Sequence, residues 1–431
     1  MRKMRATTWV LLLICLMYGI TYIDRVNIAT AAGAIKKEFG FSNQQYGLIF
    51  AAFGWAYLAL QITGGWIADR FGARRTLTIS GIIWAGATLL MGLVSGFWSL
   101  YICRMLLGVG EGATFPTATR AMSNWTEPKK RGFAQGITHM FARFGNAVAP
   151  ILVVKLMGGF GGWRGSFVSL GLVSLIWIAV WALYFRNDPR EHKSITPEEL
   201  TVLPKFRGRV ELKAEPIPWG PLARRMAPVV VVYFCYGWSL WLYLSWIPTF
   251  FKDGFKIDLE TTARISFFVF IAGGIGNTLG GVLSDRILKA QKSLLWARSY
   301  LVCFSMLCSL CCMLPVVLLH NSLLVSAVLL GVAFFFLEMS IGPMWAIPMD
   351  IAPQFSGTAS GIMNSGSALA AIVSPWIFGL VVDKTGSWTL PFAGSITLLA
   401  FGAILSFTMH PERSLALGAS AALPAAERAS T

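Results

Sequence analysis

The stretch Gly64-Gly65-Trp66-Ile67-Ala68-Asp69-Arg70-Phe71-Gly72-Ala73-Arg74-Arg75 decides how the chain folds. It closes one long apolar run and opens the next. A shorter copy, Gly280-Gly281-Val282-Leu283-Ser284-Asp285-Arg286, stands in the second half of the chain. It keeps the Gly-Gly-x3-Asp-Arg core and lacks the later Gly and Arg-Arg. Small glycines let two helices approach closely. An Asp at a helix end can accept hydrogen bonds from a neighbouring helix N-terminus or pair with Arg. Gly65, Asp69, Arg70, Gly72, Arg74, Arg75, Asp285 and Arg286 are therefore candidates for a latch that holds one conformation and releases in another. A plain polar loop between two helices has no reason to be repeated.

Outward from these copies, apolar runs long enough to cross a bilayer recur along the whole chain. A spanning helix needs about 20 such residues. Periodicity and length place helices at roughly 8–30, 45–67, 76–95, 98–120, 133–157 and 164–185, then at roughly 226–250, 262–284, 296–318, 322–349, 356–382 and 388–409. The expected fold is an all-α integral membrane protein, with twelve transmembrane helices in two pseudo-symmetric six-helix bundles. The bundles occupy 1–185 and 226–410. Between them, 186–225 is rich in proline and charge and reads as a linker, with one short helix after Thr196. The tail 411–431 reads as disordered.

Composition agrees. The 431 residues are 55% hydrophobic and only 13% charged, with 36 Lys+Arg against 20 Asp+Glu. Soluble domains carry about 25% charged residues. A soluble nucleic-acid-binding protein is excluded, because such proteins keep their charge density high. The basic residues instead cluster by loop. Arg2, Lys3 and Arg5, then Arg70, Arg74 and Arg75, Lys129, Lys130 and Arg131, the central linker, and Arg286, Lys289, Lys292 and Arg298 all fall on one side. The opposite loops hold a few, such as Lys36, Lys37, Lys252 and Lys256. The positive-inside rule then expects both termini in the cytoplasm and a multi-pass protein of the inner (plasma) membrane. The first apolar segment reads as a span rather than a cleaved leader, because it is long and contains Asp24 and Arg25.

With these residues in view, the sequence resembles the major facilitator superfamily, whose signature loop G-x3-D-R-x-G-x-R-R the first copy matches. The resemblance implies two bundles that rock around a central cavity. Further stretches are similar to its anion:cation symporter family: Tyr22-Ile23-Asp24-Arg25-x-Asn27, Ala52-Phe53-Gly54-Trp55-Ala56-Tyr57-x3-Gln61-Ile62, Arg104-x6-Glu111-Gly112-x2-Phe115-Pro116, Trp345-x4-Asp350-Ile351-Ala352-Pro353 and Gly361-x2-Asn364. That family includes bacterial proton-coupled carriers of galactonate, glucarate and hexuronates.

Ionisable residues within spans are costly and point to function. Here they are Asp24, Arg25, Arg104, Glu111, Arg143 and Glu338, with Asp350 near the end of the tenth span. Arg104 and Glu111 are seven apart and so share a helix face. Asp24 and Arg25 point about 100° apart and serve different contacts. The resemblance implies that Asp24 and Glu111 couple protons, that Arg25 and Tyr57 contact substrate, and that Arg104 pairs with the acids. Each could instead belong to an interhelical ion pair that only holds the bundle together. Arg143 departs from the galactonate-type pattern. It either adds a second contact to a dianion or pairs with Glu338, which could also add a proton site. His139 reads as polar filler. Tyr22, Gln61, Trp241, Trp345 and Asn364 complete the candidate substrate site.

Other signals lead away from chemistry. Cys308, Cys311 and Cys312 lack an accompanying His or carboxylate and read as apolar filler. Gly108-x-Gly110-x-Gly112 lies mid-helix with no strand before it, so close packing explains it. No metal, cofactor or enzymatic activity is expected. The expected function is proton-coupled uptake of an organic anion, with a sugar acid (hexonate, hexarate or hexuronate) foremost and aromatic or other carboxylates as the alternative. A transporter-like sensor is the remaining class. The partners expected are the anion, the proton and the lipid bilayer, with no nucleic acid, and a monomer as the working unit. Proton stoichiometry, and symport against exchange or facilitated diffusion, stay open at this level.

Overall fold

The computed structural model of the chain describes residues 5–41, 43–204, 216–319 and 322–415. The expected disordered tail lies, from residue 416 on, outside the described residues, as does 205–215 of the linker. All regular structure among the described residues is helical.

The first bundle consists of α1 (Ala6–Phe39), α2 (Asn43–Phe71), α3 (Ala73–Met91), α4 (Phe97–Gly112), α5 (Thr114–Trp125), α6 (Arg131–Gly159) and α7 (Gly162–Tyr184). The short linker helix α8 (Pro197–Val202) starts after Thr196, as expected, with Thr196 and Glu199 in a reciprocal capping box. The second bundle consists of α9 (Trp219–Phe255), α10 (Leu259–Gln291), α11 (Leu301–Leu318), α12 (Leu323–Met339), α13 (Ile341–Ile351), α14 (Ser356–Thr385) and α15 (Pro391–Leu405). A single π-helical turn, Trp296–Tyr300, leads into α11.

Ten helical stretches among the described residues are long and apolar enough to cross a membrane on their own. The two other spans are α3, which opens on Arg74 and Arg75, and the pair α4–α5, each member of which is short. Twelve spans result, as two sets of six.

Two spans, each placed as one helix from the sequence and the tenth expected to be distorted around Pro343 and Pro348, are broken. The fourth breaks at Ala113, between α4 and α5, and the tenth breaks at Ser340, between α12 and α13. The cause is the same in each. A proline follows the break by three residues, Pro116 and Pro343, and cannot donate to the helical ladder. Side-chain hydroxyls take the loosened carbonyls. Thr114 Oγ1 donates to the Glu111 carbonyl at 2.6 Å, and Ser340 Oγ to that of Leu337 at 2.7 Å. A Glu stands two residues before each break. Glu111 and Glu338 are thus equivalent positions of the two halves, a relation carried by Glu-x4-Pro in both.

The bundles meet along α6 against α10 and along α2 against α14. Glycines make the approach close. A Cβ on Gly65 would collide with the Gly357 carbonyl, and one on Gly281 with that of Gly132. Consecutive spans alternate in direction, so the start of α1, the end of α2 and the starts of α6 and α14 share one face, here called the N-terminal face.

Candidate functional site

A cavity of about 570 Å³ lies between the bundles. Its wall comes from the later parts of α1, α6, α9 and α14 and the earlier parts of α2, α4 and α10. With alternating spans, these parts lie away from the N-terminal face. The cavity therefore opens toward the distal face. The wall is mostly aromatic and aliphatic, with two cations, Arg25 and Arg104, and no carboxylate among the described residues. A second cavity, between α10 and α12, is lined by apolar side chains alone and offers an anion nothing.

Arg25 projects from α1 into this wall. Its Nε donates to Glu111 Oε2 at 2.5 Å. Its guanidinium lies 4.7 Å from the Tyr57 ring centre, 4.9 Å from Tyr22, 5.1 Å from Phe115 and 5.2 Å from Phe53. Such rings attract a desolvated cation through their quadrupoles. Glu111 is fully buried behind Arg25, and Arg25 Nη2 and Glu111 Oε1 have no hydrogen-bond partner among the described residues. Glu111 reaches this place because α4 packs tightly. A Cβ on Gly108 would sit 2.5 Å from the Phe53 carbonyl oxygen, and one on Gly110 2.5 Å from the Trp84 nitrogen.

Asp24 turns the other way, into the first bundle. It is 1% exposed, accepts from Ser174 Oγ at 3.3 Å, and leaves Oδ1 without a partner. The roughly 100° between neighbours on a helix separates the two side chains, and no cation contacts Asp24 among the described residues.

Arg104 departs from its expected pairing. It is 3% exposed and lines the cavity, stands 4.9 Å from the Phe53 ring centre, and its Nε and Nη1 meet no acceptor among the described residues. Two helical turns separate it from Glu111 on α4, about 10 Å of rise, while Glu111 is held by Arg25. The i, i+7 spacing placed both on one face but could not show which arginine the acid would choose.

Arg143 is absent from the wall. It is fully buried and gives two bonds to Glu338, from Nε at 2.8 Å and Nη2 at 3.1 Å. Glu338 also accepts from Tyr236 Oη at 2.7 Å and Asn277 Nδ2 at 2.9 Å. This network joins α6 of the first bundle to α9, α10 and α12 of the second. Tyr236 and Asn277 escaped the sequence reading; the only signal for them is their helical phase relative to Glu338.

Of the other candidates, Tyr22, Tyr57 and Trp241 line the cavity. Gln61 and Asn364 lie beneath the wall, where Asn364 Nδ2 donates to Gln61 Oε1 at 2.7 Å and to Tyr57 Oη at 3.2 Å. Trp345 is buried and donates to Tyr233 Oη at 2.7 Å. His139 packs on Trp345 and Tyr18 and contacts the Gln135 carbonyl.

At the N-terminal face the repeated loops close the bundles against each other. Asp69 accepts from the Gly357 and Thr358 amides at 3.0 and 2.6 Å, at the start of α14. Asp285 accepts from the Gly132 and Phe133 amides at 3.0 and 2.7 Å, at the start of α6. Each carboxylate thus caps a helix of the opposite bundle. Arg120 stands 3.5 Å from Asp69, and Arg131 and Arg298 each reach Asp350 at 2.9 Å. Arg131 and Arg298, grouped with the loop charges in the sequence reading, are buried. Arg74 bonds the Ala182 carbonyl, Gly72 takes a positive φ against Asn187, and Arg70, Arg75 and Arg286 are exposed.

Known proteins share this chain's sequence and fold. The model of the Major Facilitator Superfamily matches residues 14–375. A probable sulfoacetate transporter of Cupriavidus necator is 42% identical over 95% of both chains. The hexuronate transporter of Bacillus subtilis is 29% identical over 92% of this chain and 94% of its own, and a probable galactarate/D-glucarate transporter of the same organism 27% over 95% and 92%. The crystal structure of the Escherichia coli fucose:proton symporter superposes with a TM-score of 0.70 at 14% identity, over 96% of this chain and all of that one. The likeness to that structure is one of fold. The chain belongs to the major facilitator superfamily, within its anion:cation symporter group, and is a membrane transporter rather than an enzyme.

Proposed function

We propose that the protein imports an organic anion together with protons. The observation that carries this reading is the 2.5 Å ion pair between Arg25, which lines the cavity, and Glu111, which is fully buried behind it. An incoming carboxylate or sulfonate competes with Glu111 for Arg25. Glu111, losing its cation in a dry site, is then best satisfied by a proton. Binding of anion and proton are thereby linked through one guanidinium. Asp24, buried one residue away from Arg25, serves as the second acid. The loaded carrier, with net charge reduced, exchanges its opening from the distal to the N-terminal face, and the Asp69 and Asp285 caps part as the bundles rock. Loss of anion and proton there restores the Arg25–Glu111 pair and resets the cycle.

The loop charges support a cytoplasmic N-terminal face in an inner membrane, so that the cavity seen here faces outward. A single chain contains both walls of the cavity, which supports a monomer as the working unit. A sugar acid fits the anion-binding chemistry, and sugar-acid transporters are among the relatives. A short sulfonated acid is the second reading, favoured by the relative of 42% identity and by the sparse polar lining of the cavity.

Reconstituted vesicles with an imposed pH gradient test the mechanism. Wild type is expected to accumulate labelled anion, Glu111→Gln to lose gradient-driven accumulation, and Arg25→Ala to lose binding. Gradient-driven accumulation by Glu111→Gln equal to wild type would end this assignment.

A further inference from the structure

Two arginines line the same cavity, and each keeps buried guanidinium donors without a hydrogen-bond partner among the described residues. Arg104 has no ion pair among the described residues, and its Nε and Nη1 are without acceptors although the residue is 3% exposed. Arg25 Nη2 is likewise unpartnered. A buried guanidinium without a partner is costly, and Arg104 combines the lack of an ion pair among the described residues with a place in the cavity wall. Both lie against one ring, Phe53, with guanidinium carbons 5.2 and 4.9 Å from its centre. They are therefore no more than about 10 Å apart.

We propose that the cargo is a short acid with two anionic heads, one held by Arg25 and the other by Arg104, with Phe53 setting their spacing. This rests on the reading of the protein as an anion carrier and, within it, selects the short two-headed acid over the sugar acid. Charge-assisted bonds hold each head at about 2.8 Å from the guanidinium nitrogens. For a cargo lying in line between the two guanidinium groups, a gap of at most this size holds heads one or two carbons apart, as in a sulfonated acetate or a malonate, and a straight six-carbon diacid is too long. The rest of the wall agrees. Besides the arginines, its hydrogen-bonding side chains are Tyr22, Trp55, Tyr57, Asn146, Trp241 and Ser245. The Trp241 N–H is already donated to Ser367, and the Tyr57 oxygen already accepts from Asn364. Few groups remain for the hydroxyls of a polyol chain. The lining also explains why both heads should be charged. Arg104 has no acid of its own, so a one-headed cargo leaves it unmet.

Equilibrium binding to the purified full-length protein, by titration calorimetry near neutral pH, tests this without a gradient. The probes are sulfoacetate and malonate against acetate, methanesulfonate and glucuronate, with adipate as the long diacid. The short two-headed acids are expected to bind at least about 100-fold more tightly than every one-headed acid, and adipate to lose most of that advantage. Arg104→Gln should bring sulfoacetate down to the level of acetate, and Arg104→Lys should restore part of the difference. One-headed acids binding within a few-fold of sulfoacetate in wild type would overturn the proposal with no variant needed. So would Arg104→Gln that keeps the wild-type ratio, or adipate equal to malonate. Gradient-driven uptake is read separately. Its loss with the binding ratio intact removes the symport reading and leaves the clamp, whereas uptake with no preference for two heads removes the clamp alone.

Discussion

Replacing Asp285 by Asn should move the transporter away from the conformation described here. Asp285 receives the Gly132 amide on one oxygen and the Phe133 amide on the other, at 3.0 and 2.7 Å. The donors belong to the first bundle and the acceptor to the second, so both bonds exist only while the N-terminal face is closed. Asn has one acceptor oxygen and no charge. It therefore loses one hydrogen bond to a charged group, worth about 1.5–3 kcal/mol. The favourable term between a carboxylate and the start of α6 goes too, about 0.3–1 kcal/mol. The closed N-terminal face is thus destabilised by about 2–4 kcal/mol relative to its open alternative. At the low end the equilibrium shifts about 30-fold, which would take a 90:10 distribution to about 25:75. The assay is thiol modification at the cavity wall. In a variant whose seven cysteines have been replaced, Ala51→Cys places a thiol on the wall. A charged, membrane-impermeant reagent added from the distal side should modify it several-fold more slowly when Asp285→Asn is present. Asp69→Asn should act alike, because Asp69 caps α14 in the same way. Unchanged rates in both single variants and in the double variant would refute the latch.

The cross-bundle network should show strong coupling. Removing Arg143 or Glu338 alone leaves a buried charge unpaired and should cost about 3–5 kcal/mol of stability, whereas Arg143→Met with Glu338→Leu should recover most of that loss; chemical unfolding in detergent measures it, and additive losses would show that the two do not act as a pair. Outside the membrane, Glu199 accepts from the Thr7 amide at 3.0 Å and the Thr7 hydroxyl at 2.7 Å, tying the linker helix to the start of α1. Partial burial raises its carboxyl, but the bonds from Thr7 and Thr196 outweigh this and hold it below the ordinary carboxylate range. A group depressed in the folded state stabilises above its unfolded value, about 4.3, and loses that contribution as pH falls through the folded one. Hydrogen exchange at the Thr7 amide should therefore show additional opening, beyond the intrinsic pH effect, only below about pH 4, and Glu199→Gln should abolish that pH dependence.

Much of the architecture is local information. Apolar runs of spanning length, the proline-rich linker and the doubled Gly-Gly-x3-Asp-Arg core are each read within a window of a few turns. The membrane demands helices whatever the side chains do, because backbone polar groups have no water to bond. The breaks after Glu111 and Glu338 were present in the sequence as Glu-x4-Pro, yet the apolar runs conceal them, since hydroxyl-bearing neighbours meet the freed carbonyls and leave composition unchanged.

Partner choice was not local. Arg25, Arg104 and Arg143 are alike as intramembrane cations, and the chain alone distributes no acids among them. Packing does so. Close contact of α4 with α2 and α3 delivers Glu111 to Arg25 and leaves Arg104 unmatched at the cavity, while α6 turns Arg143 onto Glu338 across the interface. Likewise Arg131 and Arg298 look like loop charges until Asp350 is brought to them. By itself, the sequence determined the spans, their two-fold arrangement and which residues were too polar for their surroundings. Only the tertiary structure decided which of those residues meet, because each residue turns a helix by about 100° and charges pair only where helices from distant parts of the chain present the right faces.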